Sequence, residues 1–237
     1  PLRVNFTFEP NSLESGTKPL VNRREVRTVI DALTAAKRPL IHIGNGVRIS
    51  KAEELVRTLY NETKIPLMIT HNSVDLFRDE NILNMGFSGV FGARSANIAV
   101  QNCDFYLGIG TRLSLAQTGY NGIDFARNAF MAVVDIDPNE LIKDYLHIDV
   151  GICSDAKDFL IDFLDELDDY KNDIDSWIVQ CQEWKRKYDV LDEIYTSEWV
   201  NSYDFVKQLS NWVEPGDSVV TDMGLAYQST FQSFRPK

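Results

Sequence analysis

Four short segments of this chain carry residue types able to hold a ligand. Gly110-Thr111-Arg112 follows an apolar run. Gly108 and Gly110 let backbone approach a ligand closely, and a guanidinium can hold a diphosphate bidentately. The same residues also suit a structural turn with a surface arginine. In Asp135-Ile136-Asp137-Pro138, one carboxylate can accept from a ribose hydroxyl or an adenine amine, while Asp137 before Pro138 reads equally well as a helix cap. Gly44-Asn45-Gly46 lacks the third glycine of the dinucleotide fingerprint, because Ile49 stands there. Glycine and asparagine are also the ordinary residues of a plain tight turn. The fourth segment runs Gly86-Phe87-Ser88-Gly89-Val90-Phe91-Gly92-Ala93-Arg94 and continues into Ser95-Ala96-Asn97. Glycines at every third position suit approach to a flat ligand, with Phe91, Gly92, Ala93, Arg94 and Asn97 as candidate contacts. Arg94 at a helix start would add its charge to the helix dipole. Together the four segments describe a site for an elongated, anionic, nucleotide-like molecule.

These residues can converge only if the elements before them end side by side. Asn22 reads as the cap of a helix over 23–37, where Val26, Val29, Ile30 and Leu33 recur at helical spacing. Residues 40–44 read as a buried strand, Ser50 as the cap of a second helix, and 65–70 as the next strand. The stretch 71–93 is too long for a plain loop, so it is functional or hides short elements. A helix over 94–103, strands at 104–108, 130–135 and 148–152, and a helix over 156–167 follow. Alternating strands and helices imply parallel βαβ units. Near-continuous apolar strands imply a sheet covered on both faces, an α/β doubly wound parallel sheet. In such sheets ligands sit at the carboxyl ends of strands, near a topological switch point. Beyond it, 175–198 reads as helical and aromatic, 203–213 as a helix, Pro215-Gly216-Asp217 as a turn and 218–221 as a strand.

Composition excludes other classes. With 24 basic and 35 acidic side chains the net charge is −11, and residues 155–175 alone carry −7. A nucleic-acid partner needs a basic face, so none is expected, and the acidic run reads as a solvated helix face. Apolar residues at 44% give a globular chain, and no run approaches the length of a membrane span. Cys103, Cys153 and Cys181 lie far apart without a CxxC, which argues against zinc and for a reducing, cytoplasmic setting. There is no P-loop, nucleophile elbow, HExxH or EF-hand loop. His42, His71 and His147 have no visible nucleophile partner, and His42, inside a strand, reads as a satisfied core histidine.

The order Gly44-Asn-Gly, Gly86-Phe-Ser-Gly-Val-Phe-Gly, Ser95-Ala-Asn97, Gly108-Ile-Gly-Thr-Arg112 and Asp135-Ile-Asp-Pro resembles the central domain of thiamine-diphosphate enzymes of the acetolactate synthase type. Gln117-Thr-Gly-Tyr120 looks more like the acetolactate synthase-like enzymes of bacterial polysaccharide gene clusters. Val219-Val-Thr-Asp222-Met-Gly224 resembles the start of the family's cofactor-diphosphate domain, although Gly224-Leu-Ala-Tyr-Gln228 departs from the synthases' Gly-Gln-His-Gln. The resemblance implies an internal fragment. Residues 1–21 would be the end of a preceding domain, 22–168 the central domain, 169–200 a helical linker and 201–237 the beginning of the thiamine-diphosphate domain. It further implies 2-oxo acid substrates, thiamine diphosphate and Mg²⁺ in the full-length enzyme, and a place in branched-chain amino acid biosynthesis. The whole enzyme would be a homodimer or homotetramer. FAD, ADP or nothing would occupy the central domain, with Gly44, Asn45, Gly46, Phe91, Gly92, Ala93, Arg94, Asn97, Gly110, Thr111, Arg112, Asp135, Ile136 and Asp137 as the nucleotide contacts. The family's activating glutamate and its Mg²⁺ motif match nothing here, so these residues alone are expected to be inactive. A 2-oxo acid decarboxylase of the same family without FAD, a non-catalytic nucleotide-binding module and a pure interaction domain remain as alternatives.

Overall fold

Five short apolar runs form the centre of the molecule. The computed structural model describes residues 19–77, 83–167, 170–190 and 198–235. Strands β1 (Pro39–Ile43), β2 (Leu67–Ile69), β3 (Phe105–Ile109), β4 (Phe130–Asp135) and β5 (Val150–Cys153) make one sheet in the order β2-β1-β3-β4-β5. Every pairing is parallel. All residues of β1, β2 and β3 are buried, as a sheet covered on both faces requires.

The helices come from amphipathic segments. Asn22 accepts from the Arg24 N–H and caps α1 (Arg23–Ala35), which buries Val26, Val29 and Leu33. It stops at Ala35, before Pro39, because the backbone at Ala36 turns extended. Helices α3 (Glu53–Thr63), α4 (Arg94–Asn102) and α6 (Ala156–Glu166) each bury an apolar stripe. The chain leaves β1 toward β2 and returns past β1 to β3. Right-handed crossovers running in opposite directions put their helices on opposite faces. Accordingly α1, α3 and α6 pack together, and α4 packs with α7 (Asp175–Lys187). In α7, Trp177 and Cys181 enter the same core, and Trp177 Nε1 donates to Pro39 O at 2.9 Å.

The acidic face of α6 is not simply solvated. Arg23 and Arg27 of α1 reach Asp162, Asp165 and Glu166 across the helix pair. His42 is fully buried and its Nδ1 meets the Tyr106 hydroxyl at 2.6 Å, but Nε2 has no partner, so the expected satisfied core histidine is only half satisfied.

Three local expectations are corrected. Gly44-Asn45-Gly46 is not an isolated turn: α2 (Asn45–Ile49) starts there, with Gly44 extended as its N-cap. Ser50 does not cap the second helix. Its N–H closes α2 onto Gly46 O, and α3 begins after Ala52. Residues 218–221 form no strand, since a strand needs hydrogen-bonded neighbours and the described residues bring none alongside; Val220 is 92% exposed. Instead α8 (Ser202–Ser210) packs on α9 (Leu225–Ser233), a helix the sequence pattern did not disclose. Most of the expected end of a preceding domain, at 1–18, and part of the expected helical stretch, at 191–197, lie outside the described residues.

Candidate functional site

Register alone brings the strand ends level. Ile69 pairs with Ile43, Ile43 with Ile109, and Ile109 with Val134, while Asp135 pairs with Cys153. The next residue of each strand is tied to its neighbour: Thr70 N to Ile43 O, Gly44 N to Ile109 O, Gly110 N to Val134 O and Ser154 N to Asp135 O, all at 2.9–3.0 Å. Between β1 and β3 the connections diverge, so Gly44 and Gly110 flank the topological switch point.

There the two glycine turns are in backbone contact. Gly46 N donates to Gly110 O at 3.1 Å. A Cβ on Gly44 would lie 2.0 Å from Gly110 O, and one on Gly46 2.7 Å from Gly110 Cα. No side chain fits between them, which is why glycine is needed at both positions although Gly44 has no positive φ. The Gly110 turn is left-handed at three places: φ is +59° at Gly110, +61° at Arg112 and +46° at Leu113. Non-glycine residues in this region cost energy and concentrate at ligand clamps and switches. Thr111 is buried and its Oγ1 has no partner.

Beside this turn stands Asp135 at the end of β4, half-buried. Desolvation pushes its carboxyl pKa up, opposed by the Asp137 N–H that it accepts at 3.1 Å; the Glu140 charge adds to the rise. Asp137 caps the 3-10 turn Pro138–Leu141 by accepting from Asn139 N and Nδ2, and these bonds hold its pKa below the usual value. Its capping role is therefore realised, while the Asp135 carboxylate is also held by backbone hydrogen bonds at Asp137, Arg112 and Ile136. Ile136 between them is 56% exposed. The Arg112 guanidinium is exposed, and its Nε donates to Glu140 Oε1 at 3.2 Å.

The glycine-rich segment reaches the same edge by a different logic. Val90 N donates to Ala116 O in α5 (Leu115–Thr118), and Gly89 sits so close to α5 that a Cβ would meet Ala116 O at 1.8 Å. A Cβ on Gly92 would lie 2.5 Å from Phe87 O. These glycines allow close approach to the chain's own backbone. Asn97 is likewise engaged: its amide accepts from Gly89 N at 2.8 Å and donates to Gly89 O at 3.0 Å. Phe91 stays 46% exposed and Arg94 opens α4 on the surface. Ala93 N bonds Phe87 O, closing the loop.

Sequence reasoning missed several participants. Glu140 and Lys143 are partners of the Arg112 turn, and only the fold brings them to it. His71, after β2, lies in an aromatic cluster with Phe87 at 4.1 Å and with Tyr227 and Phe231 of α9 at 5.4 and 5.6 Å. Gln232 of α9 donates to Phe91 O at 2.6 Å, so α9 is seated on the glycine-rich loop. No local signal marked α9, whose polar and apolar residues are poorly segregated.

Residues 26–163 match the family described as thiamine pyrophosphate enzyme, central domain. This chain belongs to that family of thiamine-pyrophosphate enzymes. It is similar to the acetolactate synthase large subunit of Porphyra purpurea, 28% identical over 95% of this chain and 37% of the relative. It is also similar to the probable acetolactate synthase large subunit of Methanocaldococcus jannaschii (31%; 84% of this chain, 34% of the relative) and to the acetolactate synthase of Mycobacterium leprae (32%; 87% and 30%). The chain thus spans about a third of the length of these relatives.

Proposed function

We propose that this chain is the nucleotide-holding part of an acetolactate synthase-like enzyme. The whole enzyme would decarboxylate one 2-oxo acid and join the two-carbon unit to a second. The observation that carries the reading is the contact of the Gly44–Gly46 and Gly110–Arg112 turns at the β1/β3 switch point, with Asp135 one strand away.

The donor set suits the adenosine-diphosphate portion of a dinucleotide such as FAD. Arg112 would neutralise the diphosphate, the Thr111 hydroxyl offers an unused buried donor, and Asp135 would accept from a hydroxyl or amine. Phe91 and Ile136 supply exposed apolar surface for a flat ring. Thiamine diphosphate, when bound to the whole enzyme with Mg²⁺, supplies the electron sink for decarboxylation. The role we assign to these residues is to bind and orient a nucleotide, and the resemblance leads us to expect that by themselves they turn over no 2-oxo acid. Among the described residues no helix is long and apolar enough to cross a membrane. From the resemblance to the synthases, and not from that absence, we take the enzyme to be a cytoplasmic homo-oligomer.

Calorimetric titration of the chain with FAD and with ADP tests this reading. Arg112→Ala and Asp135→Ala should each weaken binding about tenfold, the worth of one charge-assisted hydrogen bond, while far-UV circular dichroism stays unchanged. Equal affinity in both variants refutes the site. ADP retention without flavin retention would move the reading to a 2-oxo acid decarboxylase of the same family. Acetolactate formed from pyruvate by the pure chain would refute its inactivity.

A further inference from the structure

Arg112 does not stand free at the candidate site. Its Nε is held at 3.2 Å by Glu140 Oε1, whose side chain is only 17% exposed while that of Arg112 is 78% exposed. Glu140 has a second, more buried counter-ion. Its other oxygen pairs with the ammonium of Lys143, and that side chain is 13% exposed. The same ammonium donates to Arg112 O and, at 3.2 Å, to Leu113 O. Two of the three left-handed residues of the turn, Arg112 and Leu113, are thus fixed through their carbonyls by Lys143, independently of where the Arg112 guanidinium points. Of the two ion pairs on Glu140, the one with Arg112 is the exposed and separable one. A part-buried carboxylate is costly to leave uncompensated, but here Lys143 remains when Arg112 departs.

We propose that Glu140 is a specificity-determining residue that competes with the ligand's diphosphate for Arg112, holding the guanidinium until an anion of sufficient charge displaces it. The proposal rests on the nucleotide reading above. Its consequence is selection by charge. Adenosine gives nothing in exchange for the broken Arg112–Glu140 pair, whereas a diphosphate replaces it with a bidentate contact. Asp135, whose pKa the Glu140 charge helps to raise, lies on the same side, so an anion arriving there meets repulsion from Glu140 as well as competition.

The test is Glu140→Gln, which removes the charge but keeps an amide oxygen for Lys143. Titrated with ADP, this variant should bind about three- to tenfold tighter than the parent, with adenosine affinity unchanged. In an Arg112→Ala background the substitution should give no gain. Unchanged or weaker ADP binding by a Glu140→Gln protein that melts like the parent overturns the proposal, and so does an equal gain in the Arg112→Ala background. If Arg112→Ala alone leaves ADP affinity intact, it is the nucleotide reading that has failed, and the proposal falls with it. A readout independent of the variant's folding is the Arg112 Nε–H resonance of the parent protein. Saturating ADP should shift it as the bond to Glu140 breaks, and a resonance that stays put in the bound state overturns the proposal.

Discussion

Gly44→Ala is the smallest change that tests how the two turns meet. The added methyl would lie 2.0 Å from Gly110 O, and 2.5 Å from both Gly110 C and Thr111 Cα. All three are backbone atoms, so no side chain can rotate away; β1 and β3 must part at their carboxyl ends. Overpacking of this kind costs about 1–3 kcal/mol. The separation also strains the Gly44 N to Ile109 O and Gly46 N to Gly110 O bonds, each worth about 1 kcal/mol. A loss of about 3–5 kcal/mol follows, a large share of the ~5–15 kcal/mol by which domains are stable. For a domain of this size that is a fall in Tm of roughly 10 °C. The control is Gly119→Ala. Its φ of +81° with ψ of 175° is a region almost reserved for glycine, but nothing lies within 4 Å, so it should carry only that backbone strain of about 1–3 kcal/mol. Thermal denaturation followed by circular dichroism reads both. If Gly44→Ala melts within 2 °C of the parent, or no lower than Gly119→Ala, the packed switch point is wrong.

Two further outcomes follow from buried groups. Burial lowers the His42 pKa from 6.5 to about 4, and the backbone at Ile69 only partly opposes the fall. The unfolded chain therefore binds the proton first. Stability should be full above about pH 6.5 and fall by about 3 kcal/mol toward pH 4 through this group, so the difference in urea midpoint between parent and His42→Leu should shrink across that window; a constant difference refutes it. Burial also raises the Cys103 thiol pKa strongly and pushes Cys181 up to about 12, while Cys153 is partly exposed beside Asp135 and Asp137. A thiol-disulfide reagent at pH 8 should thus modify one cysteine per native chain, slowly, and three after denaturation, and rapid modification of Cys103 or Cys181 in the folded protein would contradict the packing.

Much of the fold was legible because its signals are local. Asn22 before a 3.6-period stripe marked α1, and the apolar runs ending at Ile43, Ile109 and Asp135 marked three strands within a residue or two. Short elements escaped. A five-residue helix such as α2 buries one side chain, Val47, and leaves no period to read. The pattern Val219-Val220-Thr221 looked like a strand because its residues favour one, yet β structure needs a partner, and propensity says nothing about whether one arrives.

The amino-acid sequence by itself determined the class: an alternation of apolar runs and amphipathic helices that can bury both faces of a parallel sheet, with glycine turns, Arg112 and Asp135 placed after the runs. It also fixed which positions tolerate no side chain, without saying why. Tertiary structure decided the reason. Gly44, Gly89 and Gly92 are glycines because the chain's own backbone crowds them, and Asn97 is spent on Gly89. It decided the electrostatics too: Glu140 and Lys143 lie about thirty residues from Arg112 along the chain yet hold its turn. Hydrophobic period is a nearest-neighbour property that survives in one dimension. Close contact and charge pairing across the strand ends depend on register between segments far apart, and exist only once the sheet has formed.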